Sequence, residues 1–150
     1  LAETVARVLA DSGFDPARLE LEITEGVLTQ DPTAALVLLE RIRDTGVKIV
    51  LDDFGTGYSS LSYFRQFPFD KIKIDRSFVA EMLDSKRALS IVEAVIALAH
   101  GLDLPIVAEG VETEAQLALL SEKGCTLAQG YLLGRPMPIE HFIGSVLHER

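Results

Sequence analysis

The chain has 150 residues, 48% of them hydrophobic, enough for one domain core, and no low-complexity or linker-like stretch divides it. Its 14 Lys and Arg against 23 Asp and Glu leave a formal charge of −9, which opposes loose binding to nucleic-acid polymers or anionic membranes; a small anionic ligand stays open if cations bridge it. No apolar run approaches the roughly 18 residues of a membrane span, and the single Cys125 permits no internal disulfide, so a reducing cytoplasm is expected.

In chain order, "LAETVARVLADSG" reads as an amphipathic helix and not as a signal peptide. The first apolar run is "LELEIT" (19–24). The helix in "DPTAALVLLERIRDTG" has Asp31 as N-cap, Pro32 at its first position, Gly46 just past its end, and Leu36, Leu39 and Ile42 on one face. The second run, "VKIVLDDF" (47–54), ends in two aspartates and the loop "GTGYSS"; the third is "DKIKID" (70–75). A helix over 84–101 is expected to bury Leu89, Val92, Val95, Ile96 and Ala99, to carry His100 in its last turn and to stop at Gly101. The run "PIVAEGV" (105–111) follows, then the capping box "TEAQ" (113–116) with Gly124 ending its helix, and last "TLAQGYL" (126–132). Five strand-plus-helix units predict an α/β fold with right-handed crossovers and a parallel sheet, open or closed as a barrel.

The polar residues of these runs gather at their C-terminal ends: Glu22 and Glu25, Asp52 and Asp53, Lys73 and Asp75, Glu109 and Glu112, and Gln129. In parallel α/β folds ligands bind at that edge. A single carboxylate there is commonly a loop start, an N-cap or a lysine's partner; agreement of five units asks for more. Bringing Glu22, Asp52, Asp53 and Glu109 into one cavity is costly, since close like charges raise one another's pKa, and hard divalent cations with oxygen ligands relieve that repulsion. Strand alternation sends Asp52 and Asp53 to opposite faces. Either one of them is structural, or Gly55 and Gly57 allow a turn that returns Asp53 to the site. Zinc chemistry has no support, because there is no cysteine pair and His100, His141 and His148 lack useful spacing. Cys125 reads as a small buried hydrophobe. There is no G-x-S-x-G elbow, and "GTGYSS" lacks the lysine of a P-loop.

The series "LELEITE", "KIVLDDFGTGYSS", "FDKIKID", "IVAEGVET" and "LAQGYLLGRP" resembles the EAL-domain family, cyclic-di-GMP phosphodiesterases and their non-catalytic relatives, with the motifs in order through nearly the whole chain. The resemblance implies a TIM-type barrel that hydrolyses cyclic-di-GMP to linear pGpG with two Mg²⁺ or Mn²⁺ ions. It further implies that Glu22, Asp52, Asp53 and Glu109 are metal ligands, and that Lys73 holds the attacking water or helps deprotonate it. Glu25 would brace the loop after the aspartates, and Gln129 would order the water and ligand shell. Glu112 resembles a guanine contact, and Arg135 and Pro136 belong to the substrate-binding part. A lysine beside two cations can have a depressed pKa and accept a proton, or it can serve as a donor to water or phosphate.

The same resemblance implies a homodimer with contacts near the loop, attached sensory or cyclase domains, and a cytoplasmic location, free or as the cytoplasmic part of a membrane-anchored protein. Two departures look tolerable: Gly26 where a small hydroxyl residue is frequent, and Leu133 where an aromatic is. The name-giving Glu-Ala/Val-Leu motif and the Asn motif, both sources of metal ligands, do not occur in these 150 residues. Five units are fewer than the eight of a TIM barrel. Residues 1–150 are therefore expected to be the C-terminal portion of one EAL domain, inactive by themselves. The alternatives are a non-catalytic EAL-like module that binds cyclic-di-GMP or a partner, and a fragment that pairs strands with another copy.

Overall fold

Strand and helix alternate from α1 (Ala2–Ser12) and a 3₁₀ turn at Pro16–Arg18 into β1 (Glu20–Thr24), α2 (Glu25–Gln30), α3 (Pro32–Arg43) and β2 (Lys48–Phe54). Next come α4 (Tyr63–Gln66), β3 (Lys71–Ile74), α5 (Arg76–Glu81) and α6 (Lys86–Gly101). The last elements are β4 (Ile106–Glu109), α7 (Glu114–Glu122), β5 (Leu127–Gln129) and α8 (Ile139–His148). The computed structural model describes residues 1–55 and 63–148; the expected "GTGYSS" turn, Gly57 included, lies outside them apart from Gly55. The five strands form one sheet in the order β1-β2-β3-β4-β5, every neighbouring pair parallel. All five apolar runs are thus strands of the expected parallel α/β sheet.

The helix ends follow from local chemistry. Asp31 Oδ1 accepts from the Ala34 amide at 2.9 Å, Pro32 opens α3, and Gly46 behind it has φ +89. Thr113 and Gln116 form the reciprocal capping box of α7, and Gly124 (φ +91) closes it. In α6 the buried stripe is Ala88, Val92, Val95, Ile96 and Ala99; Leu89, expected inside, flanks that stripe and is only half-buried. The helix ends at Gly101 as expected, but the left-handed residue beyond it is Asp103 (φ +55). Four described α-helices, α2, α4, α5 and α8, fall where the sequence analysis assigns no helix. One of them, α2, begins at Glu25 directly after β1.

Register divides the sheet into two faces. Glu22 pairs with Val50, Val50 with Lys71, Lys73 with Val107, and Glu109 with Gln129, so these residues share one side. On the other side Ile49, Leu51, Ile72, Ile74 and Ala108 are wholly buried against the helices, and with Val92, Ile96, Ala99 and Leu120 they form the core. Burial of this apolar face stabilises the fold by about 25 cal/mol per Å² removed from water.

Candidate functional site

The two adjacent aspartates reach one side through the backbone of β2. From Leu51, paired with Ile72, to Phe54, paired with Ile74, β2 spends three residue steps where β3 spends two. The extra residue is a bulge, and Asp53 within it has φ +54. Aspartate tolerates this left-handed conformation better than most residues. The strand's alternation is broken there: Asp52 and Asp53 both face Glu109, while Phe54 returns to the core. Among the described residues, left-handed backbone falls on Asp53 itself and on Gly55 (φ +98) after it. One ligand oxygen from each of Asp52, Asp53 and Glu109 lies within 4.8 Å of the others.

Lys73 stands at the centre, 5% exposed. Its Nζ lies 2.5 Å from Glu109 Oε1, 2.7 Å from Glu22 Oε1 and 3.2 Å from Asp52 Oδ1. The lysine of β3 thereby ties β1, β2 and β4 together. Asp52 Oδ1 is shut off from water and has no well-directed hydrogen bond; the 3.2 Å approach of the ammonium is a charge contact only. One layer below on the same face, Lys71 Nζ reaches both Glu20 carboxylate oxygens at 2.7 Å.

Charge crowding registers in the protonation equilibria. Burial, followed by the Asp52 and Asp75 charges, pushes the Asp53 carboxyl above the usual aspartate value. Burial also raises Glu109, where the Asp52 and Glu22 charges add to it and Lys73 opposes. For Lys73, burial favours the neutral amine, but the hydrogen bonds to Glu109 and Glu22 outweigh it and hold the ammonium well above the ordinary lysine range. Burial works against the Asp75 carboxylate too, yet hydrogen bonds from the Ser77 hydroxyl and amide hold it below the usual range. Asp75 caps α5 and is structural.

Of the residues singled out from sequence, Glu22, Asp52, Asp53, Lys73 and Glu109 meet in this cluster; Glu22 is held by Lys73 and stands outside the three-oxygen group. Gln129 pairs with Glu109 in register and is exposed. With Glu109, Glu112 and Gln129, residues Arg76 and Tyr131 line a cleft of about 240 Å³. Arg135 and Pro136 line a neighbouring cleft of about 510 Å³ that shares Gln129, Gly130 and Tyr131 with the first. The Arg135 guanidinium lies 4.4 Å from the Tyr131 ring centroid. Glu25, first residue of α2, is 5% exposed; the loop it was expected to brace lies outside the described residues. Cys125 is buried, as expected of a small hydrophobe. Arg76 and Tyr131 escaped the sequence reading, although each directly follows a motif on the ligand edge, "KID" and "QG".

The donor set suits a hard divalent cation. Three carboxylate oxygens converge, Asp52 also has a buried oxygen without a hydrogen bond, and two of the three carboxyls are destabilised as anions where they stand. Among the described residues no other group of His, Cys, Asp and Glu is arranged to hold a metal.

The family model described as "EAL domain" matches residues 1–136. The bifunctional diguanylate cyclase/cyclic di-GMP phosphodiesterase MucR of Pseudomonas aeruginosa is 47% identical over 146 residues, 97% of this chain and 21% of that protein. A solved structure of the MucR phosphodiesterase in complex with c-di-GMP superposes with a TM-score of 0.91 at 47% identity, over 95% of this chain and 57% of that one. Klebsiella pneumoniae BlrP1, solved with manganese and c-di-GMP, superposes with a TM-score of 0.83 at 34% identity, over 89% of this chain and 34% of that one. The chain spans about a fifth of the length of the first curated relatives it matches, 17–21%.

Proposed function

Since the chain belongs to the EAL domain family and has its TIM-type α/β fold, we propose that residues 1–150 are the C-terminal portion of one such domain, which hydrolyses cyclic-di-GMP to linear pGpG. The observation that carries this reading is the convergence of Asp52, Asp53 and Glu109, with Glu22 beside them, around a buried lysine at the C-terminal ends of parallel strands. These four carboxylates would hold Mg²⁺ or Mn²⁺ ions, whose chemistry is Lewis-acid activation of water and of a phosphodiester.

The chain's own groups divide the remaining work. In the metal-free chain the carboxylate partners hold Lys73 Nζ protonated, which favours a donor role toward water or a phosphate oxygen, and the same contacts link β1, β2 and β4. Gln129, an amide with both donor and acceptor, orders water beside Glu109. Glu112 offers a carboxylate to the donor edge of guanine, and Arg135 and Pro136 contact the remainder of the substrate in the larger cleft. Glu25, buried where β1 meets α2, braces the loop after Asp53. Homodimerisation near that loop, attached sensory or cyclase domains and a cytoplasmic location complete the proposal; no described helix is long and apolar enough to cross a membrane.

The deciding experiment expresses the complete native polypeptide and residues 1–150 side by side and measures pGpG release from cyclic-di-GMP with Mg²⁺, with Mn²⁺ and with chelator. The proposal requires metal-dependent turnover by the complete polypeptide and none approaching it from the 150-residue segment, because first-layer ligands must come from outside these five strands. Tight binding without turnover in the complete polypeptide would make it a receptor. Comparable turnover from the segment would overturn the partial-site reading.

A further inference from the structure

The 240 Å³ cleft past the end of β4 is lined in part by Arg76, a cationic residue that the metal-site reading leaves unused. Two glycines build this cleft. Gly110 has φ +68, and a Cβ there would stand 2.7 Å from Arg76 Cβ, so glycine is what lets the Arg76 stem cross directly over the exit of β4. At Gly130 a Cβ would stand 2.1 Å from the Val111 carbonyl oxygen. The β5 exit is thus pressed onto the β4 exit, where Leu132 N–H donates to that carbonyl at 3.1 Å, and Tyr131 lines the same cleft.

Neither the Arg76 guanidinium nor the Glu112 carboxylate makes an ion pair or side-chain hydrogen bond among the described residues, although both line one small cleft. Tyr131, 53% exposed, adds an aromatic ring, one face of which carries the Arg135 guanidinium, leaving the other for a base. A forked donor, a two-oxygen acceptor and a π surface are together the complement of one planar base. Guanine presents the O6 and N7 acceptors that arginine reads bidentately, has N1–H and N2–H donors for a carboxylate, and has a face that stacks on an aromatic ring. Adenine would turn its N6 amine toward the cation and its N1 lone pair toward the carboxylate.

We infer that Arg76 is a specificity-determining residue that reads the O6/N7 edge of a guanine in this cleft. The inference rests on the proposed substrate, cyclic-di-GMP. It assigns to Arg76 the edge next to the one proposed for Glu112, and to Gly110 the task of bringing Arg76 there.

The test uses the complete native polypeptide, wild type, Arg76→Gln and Arg76→Lys, with kcat and KM measured for cyclic-di-GMP and for its 7-deazaguanine analogue, which lacks the N7 acceptor. Arg76 is exposed at the start of α5, so these variants leave the core untouched. For wild type, KM should be about tenfold higher for the analogue, one hydrogen bond from a charged donor, with kcat unchanged. Arg76→Gln should raise KM for cyclic-di-GMP about tenfold to a hundredfold and no longer distinguish the two compounds. Arg76→Lys, whose ammonium can also donate to N7, should keep part of the affinity and part of the distinction. If Arg76→Gln weakens both compounds by one common factor, with wild-type discrimination intact, Arg76 touches phosphate and the inference fails. Unchanged KM in Arg76→Gln removes the residue from recognition altogether. Should wild type neither bind nor cleave cyclic-di-GMP, the proposed function itself falls and takes the inference with it, a result separable from loss of the Arg76 effect alone.

Discussion

On the helix-covered face of the sheet Ile49, Leu51, Ile72, Ile74 and Ala108 are closed off from water, while residues offset by one along the same strands present Glu20, Glu22, Asp52, Lys71, Lys73 and Glu109. Each buried aliphatic side chain of the first face stabilises the fold by roughly 1.5–3 kcal/mol. Partly exposed ion pairs, such as Lys71 with Glu20, contribute about 0–1 kcal/mol each. At Asp53 and Glu109 the balance is adverse, since folding makes both carboxyls harder to ionise. A face so expensive in free energy is explained by chemistry, and the opposite face is what makes that expense tolerable. The comparison therefore separates two kinds of mutational damage.

The largest separation is expected at Asp52. In the complete polypeptide, Asp52→Asn should lower kcat at least about a thousandfold, equivalent to roughly 4 kcal/mol of activation free energy, while the melting midpoint moves by no more than a degree or two. A collapse of stability instead would place Asp52 with the core and break the comparison. Ile72→Ala is its mirror: a cavity under the sheet should remove about 3 kcal/mol in urea unfolding, with KM of the surviving folded fraction unaltered. Lys73→Met should take both kinds of damage. It leaves Glu22, Asp52 and Glu109 without their counter-charge, lowering stability in chelator by about 2 kcal/mol, discounted for the exposure of Glu22. Added Mn²⁺ should restore part of that stability but not turnover, and full restoration of turnover would reduce Lys73 to a spacer.

The smallest effect is the most diagnostic. With its carboxyl raised, folded Asp53 keeps a proton at pH values where the unfolded chain has released it. Metal-free protein consequently gains stability from this residue as pH falls through the folded value, and the gain is complete below the ordinary aspartate value of 3.8. Asp53→Asn, which suits the left-handed backbone equally well, should stabilise the chelated protein at neutral pH by about 0.5 kcal/mol. The difference between variant and wild type should shrink as pH is lowered from about 7 to 4, as read by urea titrations at each pH. A difference independent of pH would mean that the gain comes from backbone strain and not from charge.

Much of this arrangement is legible in the residues. The β-branched runs, Asp31 before Pro32, and the Thr113–Gln116 box are short-range signals, and each produced the element it predicts. The ligand edge was equally readable, because polar residues ending apolar runs can only stand at strand exits. Hidden features depend on contacts between distant segments. Nothing near Asp53 in sequence says that the bulge falls on the aspartates and not on the glycines; that follows from pairing with β3. Arg76 acquires its place from Gly110, 34 residues away, and Lys73 stays protonated because three other strands deliver carboxylates to it. The metal-free chain shows the effect of the anions alone, while a depressed lysine is the expectation for a site that holds two cations.

Lys73 also bears on when the acidic centre can form. In domains whose acidic ligands meet only around an ion, the polypeptide cannot mature before metal arrives, and chelators unfold it. Here a counter-ion is encoded in the chain, one residue of β3 that reaches carboxylates on β1, β2 and β4. If the proposed metal site is right, these contacts let the acidic centre be held in partly neutralised form before any ion arrives, so that metal supply would bear on activity more than on folding.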